Sequence, residues 1–375
     1  MTEAKGRGLG RRDWLTLGAA AGLGAAGLGG FARAAFAGAG IPAGLAEKAK
    51  KEGQLNLIAD PRDWANYGAI FDSFSKKYGL HITVYNPDGT SAQELQAIRS
   101  LRSQSRAPDA VDVGPSFALI GAREKLFAPY KVATWDEIPG NMKDSDGYWY
   151  GDYYGVISFG VNRNVAKTVP ETWADLKKPE YKGMVALNGS PLAAAAGFAA
   201  VVAAALANGG SLNDIEPGIA FFAELAKLGN YIPVTALPAT LIGGQTPIAI
   251  NWDFLNLADK KKGKGKAEVA VVVPEGAPPY GGFYCQAISA YAPNPSAARL
   301  WEEYLYSDEG QLLYLAGYTH PVRFESLIKA HKVPETLLKE LPPAAAYKQV
   351  TFQTEAQAKK AQETLARLWP KLVKM

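Results

Sequence analysis

One cysteine in 375 residues excludes a disulfide scaffold. Three histidines (His81, His320 and His331), far apart from one another and from Cys285, leave little material for a zinc centre. Several chemistries lack their motifs. There is no Gly-x-Ser-x-Gly elbow, no P-loop, no His-Glu-x-x-His, and no Gly-x-Gly-x-x-Gly after the first strand. Cys285 lies in a strand-like run, where a lone cysteine packs as a small apolar residue rather than a nucleophile. A basic excess is also missing. The formal charge is +4, but residues 1–37 hold five basic residues and two acids, so the remainder is close to neutral. Nucleic-acid binding would need a basic excess on one face, and none is evident. Apolar residues make up 48%, so the chain is not disordered and is long enough for two domains.

The N-terminus has its own layout. Arg11-Arg12 follows a polar start, the stretch from Trp14 to Ala32 is uncharged and rich in Ala and Gly, and Ala35-Phe36-Ala37 offers a small-x-small cleavage site. This resembles a twin-arginine export signal, with cleavage expected after Ala37. The same stretch could span a bilayer, but six glycines make it a poor spanning helix.

Beyond it, short β-rich runs alternate with helical patterns. Strands are expected at Gln54–Ile58, His81–Tyr85, Ala110–Val113, Val156–Val161, Met184–Leu187, Pro247–Asn251, Val269–Val273 and Phe283–Tyr291. Helices are expected at Tyr67–Tyr78, Ser91–Ser103, Leu192–Leu206, Ile219–Leu228, Arg299–Tyr306, Glu309–Ala316 and Glu355–Leu368. The rhythm argues for an α/β chain with a mostly parallel sheet. The lysine run 260–266 is expected in a solvated loop.

In open α/β sheets ligands sit outside the carboxyl ends of strands, so the residues just after each strand are the candidates. They include Asp60, Arg62, Asp63, Trp64 and Tyr67, then Ser116, Ser190, Trp252 and Asp253, and finally Tyr284 and Gln286. Tyr154, from the aromatic cluster near the hinge, and Tyr318, before His320-Pro321, join them. Each also has a structural alternative. Trp64 and Tyr67 could form a helix's core face, Ser190 could cap a helix, Arg62 could pair at the surface, and Asp253 could face water.

Glu52-Gly-Gln-Leu-Asn-Leu57, the block from Trp173 to Leu187 and Ala316-Gly-Tyr-Thr-His-Pro-Val322 together resemble the family 1 extracellular solute-binding proteins of ABC transporters. The likeness runs from about residue 44 to 375. It implies a type II periplasmic-binding-protein fold, with two lobes hinged by two crossing strands near Tyr154–Val161 and Tyr284–Ala292. Lobe one would be 44–156 plus 290–375, and lobe two 157–289. It further implies a periplasmic monomer that hands a small solute to an inner-membrane ABC permease, without catalysis, cofactor or metal. Ferric-binding members are similar to each other in paired tyrosines, which the segment Ile250–Asn256 lacks. Polyamine-binding members look closer at Trp64-x-x-Tyr67, at Trp252 and at Gly281-x-Phe-Tyr-x-Gln286, with Gln286 in place of an acid. The missing acid and the Gly-Ser before a helix point to a neutral or zwitterionic solute. Its acidic end would lie at Ser190 and any amine near Trp64, Trp252 and Asp253.

Overall fold

The computed structural model describes residues 40–341 and 349–374, so the expected export signal lies outside the described residues. The chain opens with helix α1 (Leu45–Glu52), strand β1 (Gln54–Ile58), α2 (Tyr67–Tyr78), β2 (His81–Tyr85), α3 (Ser91–Leu101), β3 (Ala110–Val113), α4 (Pro115–Arg123) and β4 (Phe127–Ala128). The long strand β5 (Tyr150–Asn162) leads to β6 (Val185–Leu187), α5 (Ala195–Ala207), α6 (Glu216–Leu228), α7 (Pro238–Ile242), β7 (Ile248–Trp252), α8 (Asp253–Lys262) and β8 (Val269–Val272). Then follow β9 (Gly281–Ser289), α9 (Pro295–Leu305), α10 (Asp308–Ala316), β10 (His320–Pro321), α11 (Phe324–Lys329), α12 (Glu335–Leu338) and α13 (Glu355–Leu372). Among the described residues, no helix is long and apolar enough to cross a membrane.

The sheet is mixed, against the expectation of a mostly parallel one. Only β1–β2 and β6–β7 run parallel, while β3, β4 and β5 all pair antiparallel with β9, and β5 also runs antiparallel to β7, β8 and β10. The reason is connectivity. β5 is a long traverse between the two halves, and both β5 and β9 run against the strands they join.

β5 organises the molecule. Residues Tyr150–Val156 pair with β9, then Ile157–Val161 pair with β7. One strand thus belongs to two half-sheets, changing partner between Val156 and Ile157. All the pairings of β9 are with β3, β4 and the first part of β5. A third link was not foreseen. The Thr351 amide donates to the Pro279 carbonyl and the Thr351 carbonyl accepts the Gly281 amide, and α13 then packs Trp369 on Phe222 (5.6 Å between ring centroids).

Each half has its own core. In the first, Trp301 of α9 meets Phe71 and Phe74 of α2 at 5.8 and 5.2 Å. In the second, Trp173 meets Phe159 and Phe221 edge-on at 5.2 and 5.7 Å. Fully buried aromatics of this size contribute about 1.5–3 kcal/mol each by area removed from water.

Where the halves touch, β5 lies against the first turn of α8. This contact requires glycine at 155: a Cβ there would stand 2.6 Å from Phe254 Cδ1 and 2.7 Å from Asp253 Oδ1. Gly155→Ala is therefore expected to lower stability by about 1–3 kcal/mol. The midpoint of urea denaturation reads this, and an unmoved midpoint would mean that α8 shifts freely away from β5.

Candidate functional site

Acidic and aromatic side chains converge at the seam between the half-sheets. Asp112 of β3 lies opposite Gln286 of β9, which lies opposite Tyr150 of β5. Asp152 follows two residues along β5. Both carboxyl groups are buried, at 6% and 0% exposed. Asp112 Oδ2 accepts the Tyr67 hydroxyl at 2.8 Å and the Tyr153 hydroxyl at 2.9 Å. Asp152 Oδ2 accepts the Tyr314 hydroxyl at 3.0 Å and the Gln286 amide at 3.1 Å, with the Tyr67 hydroxyl at 3.4 Å. Tyr67 thus stands between two carboxyl groups with one proton to give. Asp112 Oδ1 is buried and has no hydrogen-bond partner among the described residues.

Rings wall this group in. Trp64 Nε1 donates to the Tyr153 hydroxyl at 2.6 Å, and the Trp64 ring stands edge-on to Tyr284 (5.5 Å) and Phe254 (5.8 Å). Tyr153 stacks on Tyr284 at 5.7 Å and tilts against Tyr314 at 4.9 Å. Phe254 comes from α8, so the second half closes the wall that the first half builds. Trp252, at the tip of β7, lies over Gly282, where a Cβ would be 2.3 Å from Trp252 Cη2.

The electrostatics follow from burial without a counter-charge. Burial pushes the Asp112 carboxyl up to about 7, against hydrogen bonds from Tyr67 and Tyr153 that pull it down. Burial and then Asp112 raise Asp152. Asp60, Glu94 and Glu302 are raised as well, by burial first and by neighbouring acids next. Burial also raises the Tyr67, Tyr153, Tyr284 and Tyr314 hydroxyls, so all four remain neutral donors at physiological pH. The arrangement suits a cation with hydrogen-bond donors. Carboxylate oxygens would accept its protons and ring faces would take its charge. No group of three or more His, Cys, Asp and Glu side chains with metal-holding geometry occurs among the described residues.

Outside the seam lies a cavity of about 160 Å³ between Arg62–Asn66, the outward side of α8 and the Ala316–Tyr318 turn. Lys262 Nζ bridges to Asp63 Oδ2 at 2.7 Å across it, and Lys261 Nζ sits 5.8 Å from the Tyr318 ring. Of the lysines foreseen in a loop, Lys260, Lys261 and Lys262 form the last turn of α8, where their charge complements the helix's carboxyl end, and Lys264 and Lys266 lie in the turn that follows. The Asp63–Lys262 pair is exposed on both sides. Lys262→Ala should therefore change stability by no more than about 0.5 kcal/mol, read as thermal midpoint. A loss of several degrees would show that this pair holds the halves together.

Of the residues singled out in the sequence, the structure gathers Trp64, Tyr67, Tyr284 and Gln286 at the seam, with Trp252 and Asp253 beside it. Asp253 accepts the Val156 amide at 3.0 Å. Arg62, Asp63 and Tyr318 line the mouth. Asp60 is buried beneath α2 and also floors a groove of about 450 Å³ beside β2. Tyr154 is not in the cage. It faces the other side of β5 and stacks on His320 at 5.1 Å, and its neighbour Tyr153 points inward instead. Ser190 is exposed at the tip of β6 and bonds only within its own turn. It does not cap α5, which begins five residues later. Ser116 lies half-buried in the first turn of α4, apart from the cage. Tyr153 belongs to the aromatic cluster near the hinge and Phe254 to the residues after a strand, but Asp112, Asp152 and Tyr314 were not singled out. The one available signal was an acid inside the apolar run Ala-Val-Asp-Val.

The comparisons with known proteins agree with this architecture. A 2-aminoethylphosphonate-binding periplasmic protein of Salmonella typhimurium is 27% identical over 199 residues, 52% of this chain and 55% of that one. The chain thus spans about half the length of the curated relatives it matches. An ABC transporter substrate-binding protein of Bradyrhizobium japonicum superposes with a TM-score of 0.67 at 16% identity, covering 86% of this chain and 100% of that one. The spermidine/putrescine substrate-binding protein of Streptococcus pneumoniae gives 0.63 at 15%, covering 86% and 99%. Both solved structures share the two-lobed fold of this chain. Residues 113–353 match the model of the bacterial extracellular solute-binding proteins, and the chain belongs to that family.

Proposed function

We propose that this chain is the substrate-binding component of an ABC importer, exported to the periplasm by the twin-arginine route and acting there as a monomer on a small amine-bearing solute. One observation carries the choice of solute: two buried carboxyl groups, one with an orphaned oxygen, inside a cage of aromatic rings and with no basic side chain bonded to them. An ammonium group would offset their burial, while an anion would be repelled.

The lobes would be 44–156 with 281–341, and 157–280. The partner change of β5 at Val156 and the completed return at Gly281 support those limits. Residues 349–374 would fasten the first lobe to the second. Opening the hinge would part Phe254 from Trp64 and admit the solute. An acidic group at its far end would meet Lys261 at the mouth, rather than Ser190. This polarity fits a zwitterion such as the 2-aminoethylphosphonate named for the Salmonella relative.

Calorimetric titration at pH 8 tests the reading with putrescine, ethanolamine, taurine and 2-aminoethylphosphonate, against glycerol 3-phosphate as an amine-free anion. Binding of at least one amine, recovered unchanged, is expected. Binding of the anion alone would overturn it.

A further inference from the structure

The same two carboxyl groups point to an accompanying event, and this step rests on the amine reading above. We propose that capture is a proton exchange: the entering ammonium takes the place of a proton that Asp112 and Asp152 hold between them across Tyr67, and that proton leaves to bulk water.

Asp112 Oδ2, the Tyr67 hydroxyl and Asp152 Oδ2 form one chain, with 2.8 Å on one side and 3.4 Å on the other. Tyr67 already accepts from Gln286 at 2.9 Å, and it gives its single proton toward Asp112, the shorter contact. The Tyr314 hydroxyl and the Gln286 amide serve Asp152, and Tyr153 serves Asp112. Neutral donors therefore cover the Oδ2 atoms, but among the described residues none covers Asp112 Oδ1. Two full negative charges at this separation, both out of water, repel strongly, so the empty site holds a proton that the filled site does not need.

The surroundings offer no other counter-charge. Glu94 of α3 accepts the Asp112 amide at 3.1 Å, Asp60 presses from the turn after β1, and Glu302 from α9. Tyr67 of α2, Tyr150 and Tyr153 of β5, Tyr284 and Cys285 of β9, Tyr306 after α9 and Tyr314 of α10 are neutral, and burial keeps them so. What shifts the five acids is burial, one another, Glu303 beside Glu302, and neutral hydrogen-bond donors. The charge balances simply: one ammonium enters, one proton departs, and the net charge of the site is unchanged.

The consequence is a pH-dependent affinity of definite sign. Above about pH 7 Asp112 is already ionised in the empty protein, and affinity is flat. Below it the ammonium must displace the proton, and affinity falls about tenfold per pH unit, or about 100-fold between pH 8 and pH 5.

The test uses the full chain and amines whose charge is constant over that range, namely putrescine, ethanolamine and taurine. Each is mixed with the protein at pH 6 in unbuffered salt solution under a pH electrode, and its affinity is measured by calorimetry from pH 5 to pH 8. Release of roughly one proton per bound amine, with the 100-fold slope, is the expected result. Binding with no proton release and less than a threefold change would overturn the exchange while leaving the amine reading intact. No binding of these amines or of 2-aminoethylphosphonate at pH 8 would overturn both. Because the native chain is measured, no variant has to fold for the result to count.

Discussion

Asp112→Asn should weaken amine binding by at least about 100-fold and at the same time raise the thermal midpoint at pH 8. The two effects have one cause. The asparagine side chain has nearly the shape of aspartate, and its oxygen still accepts the Tyr67 and Tyr153 hydroxyls. Its amide then occupies the place of Oδ1, which no described residue serves. The ammonium loses a buried charge-assisted partner and meets an N–H instead, a loss on the order of 3 kcal/mol. The empty protein no longer buries an uncompensated carboxylate. It gains about 1–3 kcal/mol, or roughly 2–6 °C for a chain of this size. Asp152→Asn is the contrast. Both of its oxygens are engaged, Oδ1 by the Tyr153 amide at 2.8 Å and Oδ2 by Tyr314 and Gln286, so an amide group there breaks bonds and lowers the midpoint. Calorimetric titration and differential scanning calorimetry on the same samples decide it. Wild-type amine affinity in Asp112→Asn would move the site elsewhere. Binding sites commonly trade stability for function in this manner.

How much of this could be read from residue order depends on which forces act locally. β1, α2, β2 and β3 lie where alternation and helical spacing place them, because each has a clean apolar face bounded by glycine or turn residues. Helix α8 escaped notice. Its ten residues start on an Asp-Phe-Leu sequence that resembles a strand tip and end on three lysines that resemble a loop, while the packing face is only Phe254, Leu257 and their neighbours. The parallel sheet was overestimated because the βα rhythm is local, whereas β5 takes its direction from crossing between halves and β9 runs against β3, β4 and β5. The same division holds at the site. Trp64 and Tyr67 follow the tip of β1 and were found by that rule, whereas Tyr284 and Gln286 lie inside β9 and stand out through the Gly281-x-Phe-Tyr-x-Gln286 likeness. Asp112 and Asp152 lie inside strands, and only the register that places Asp112 opposite Gln286 makes them a pair. For Tyr153 and Tyr154 the spacing could say that one points inward but not which, since that parity is set by the neighbouring strand.

The same cluster should also reverse the usual dependence of stability on pH. In the empty protein the carboxyls of Asp60, Glu94, Asp112, Asp152 and Glu302 are raised, chiefly by burial, and Asp109 and Asp259 are raised to about 6. A carboxyl that keeps its proton in the folded state but loses it near pH 4 when unfolded makes folding take up protons between those limits. Its contribution is complete below pH 4 and is lost as the pH rises through its folded-state value. His320 acts the other way. Burial lowers it to about 4, so stability drops as the pH falls below about 6.5, where only the unfolded chain binds its proton. One histidine set against several acids leaves a net uptake of protons on folding, so stability declines as the pH rises from 5.5 to 7. The lowered acids Asp175, Asp308 and Glu309 titrate below this window and do not offset it. Scanning calorimetry of the ligand-free chain should thus give a midpoint several degrees higher at pH 5.5 than at pH 8, with the difference shrinking when a saturating amine is present. A midpoint that climbs with pH over this range would mean that water or a basic group reaches these carboxyls, and the charge-poor cage on which the solute assignment stands would be lost with it.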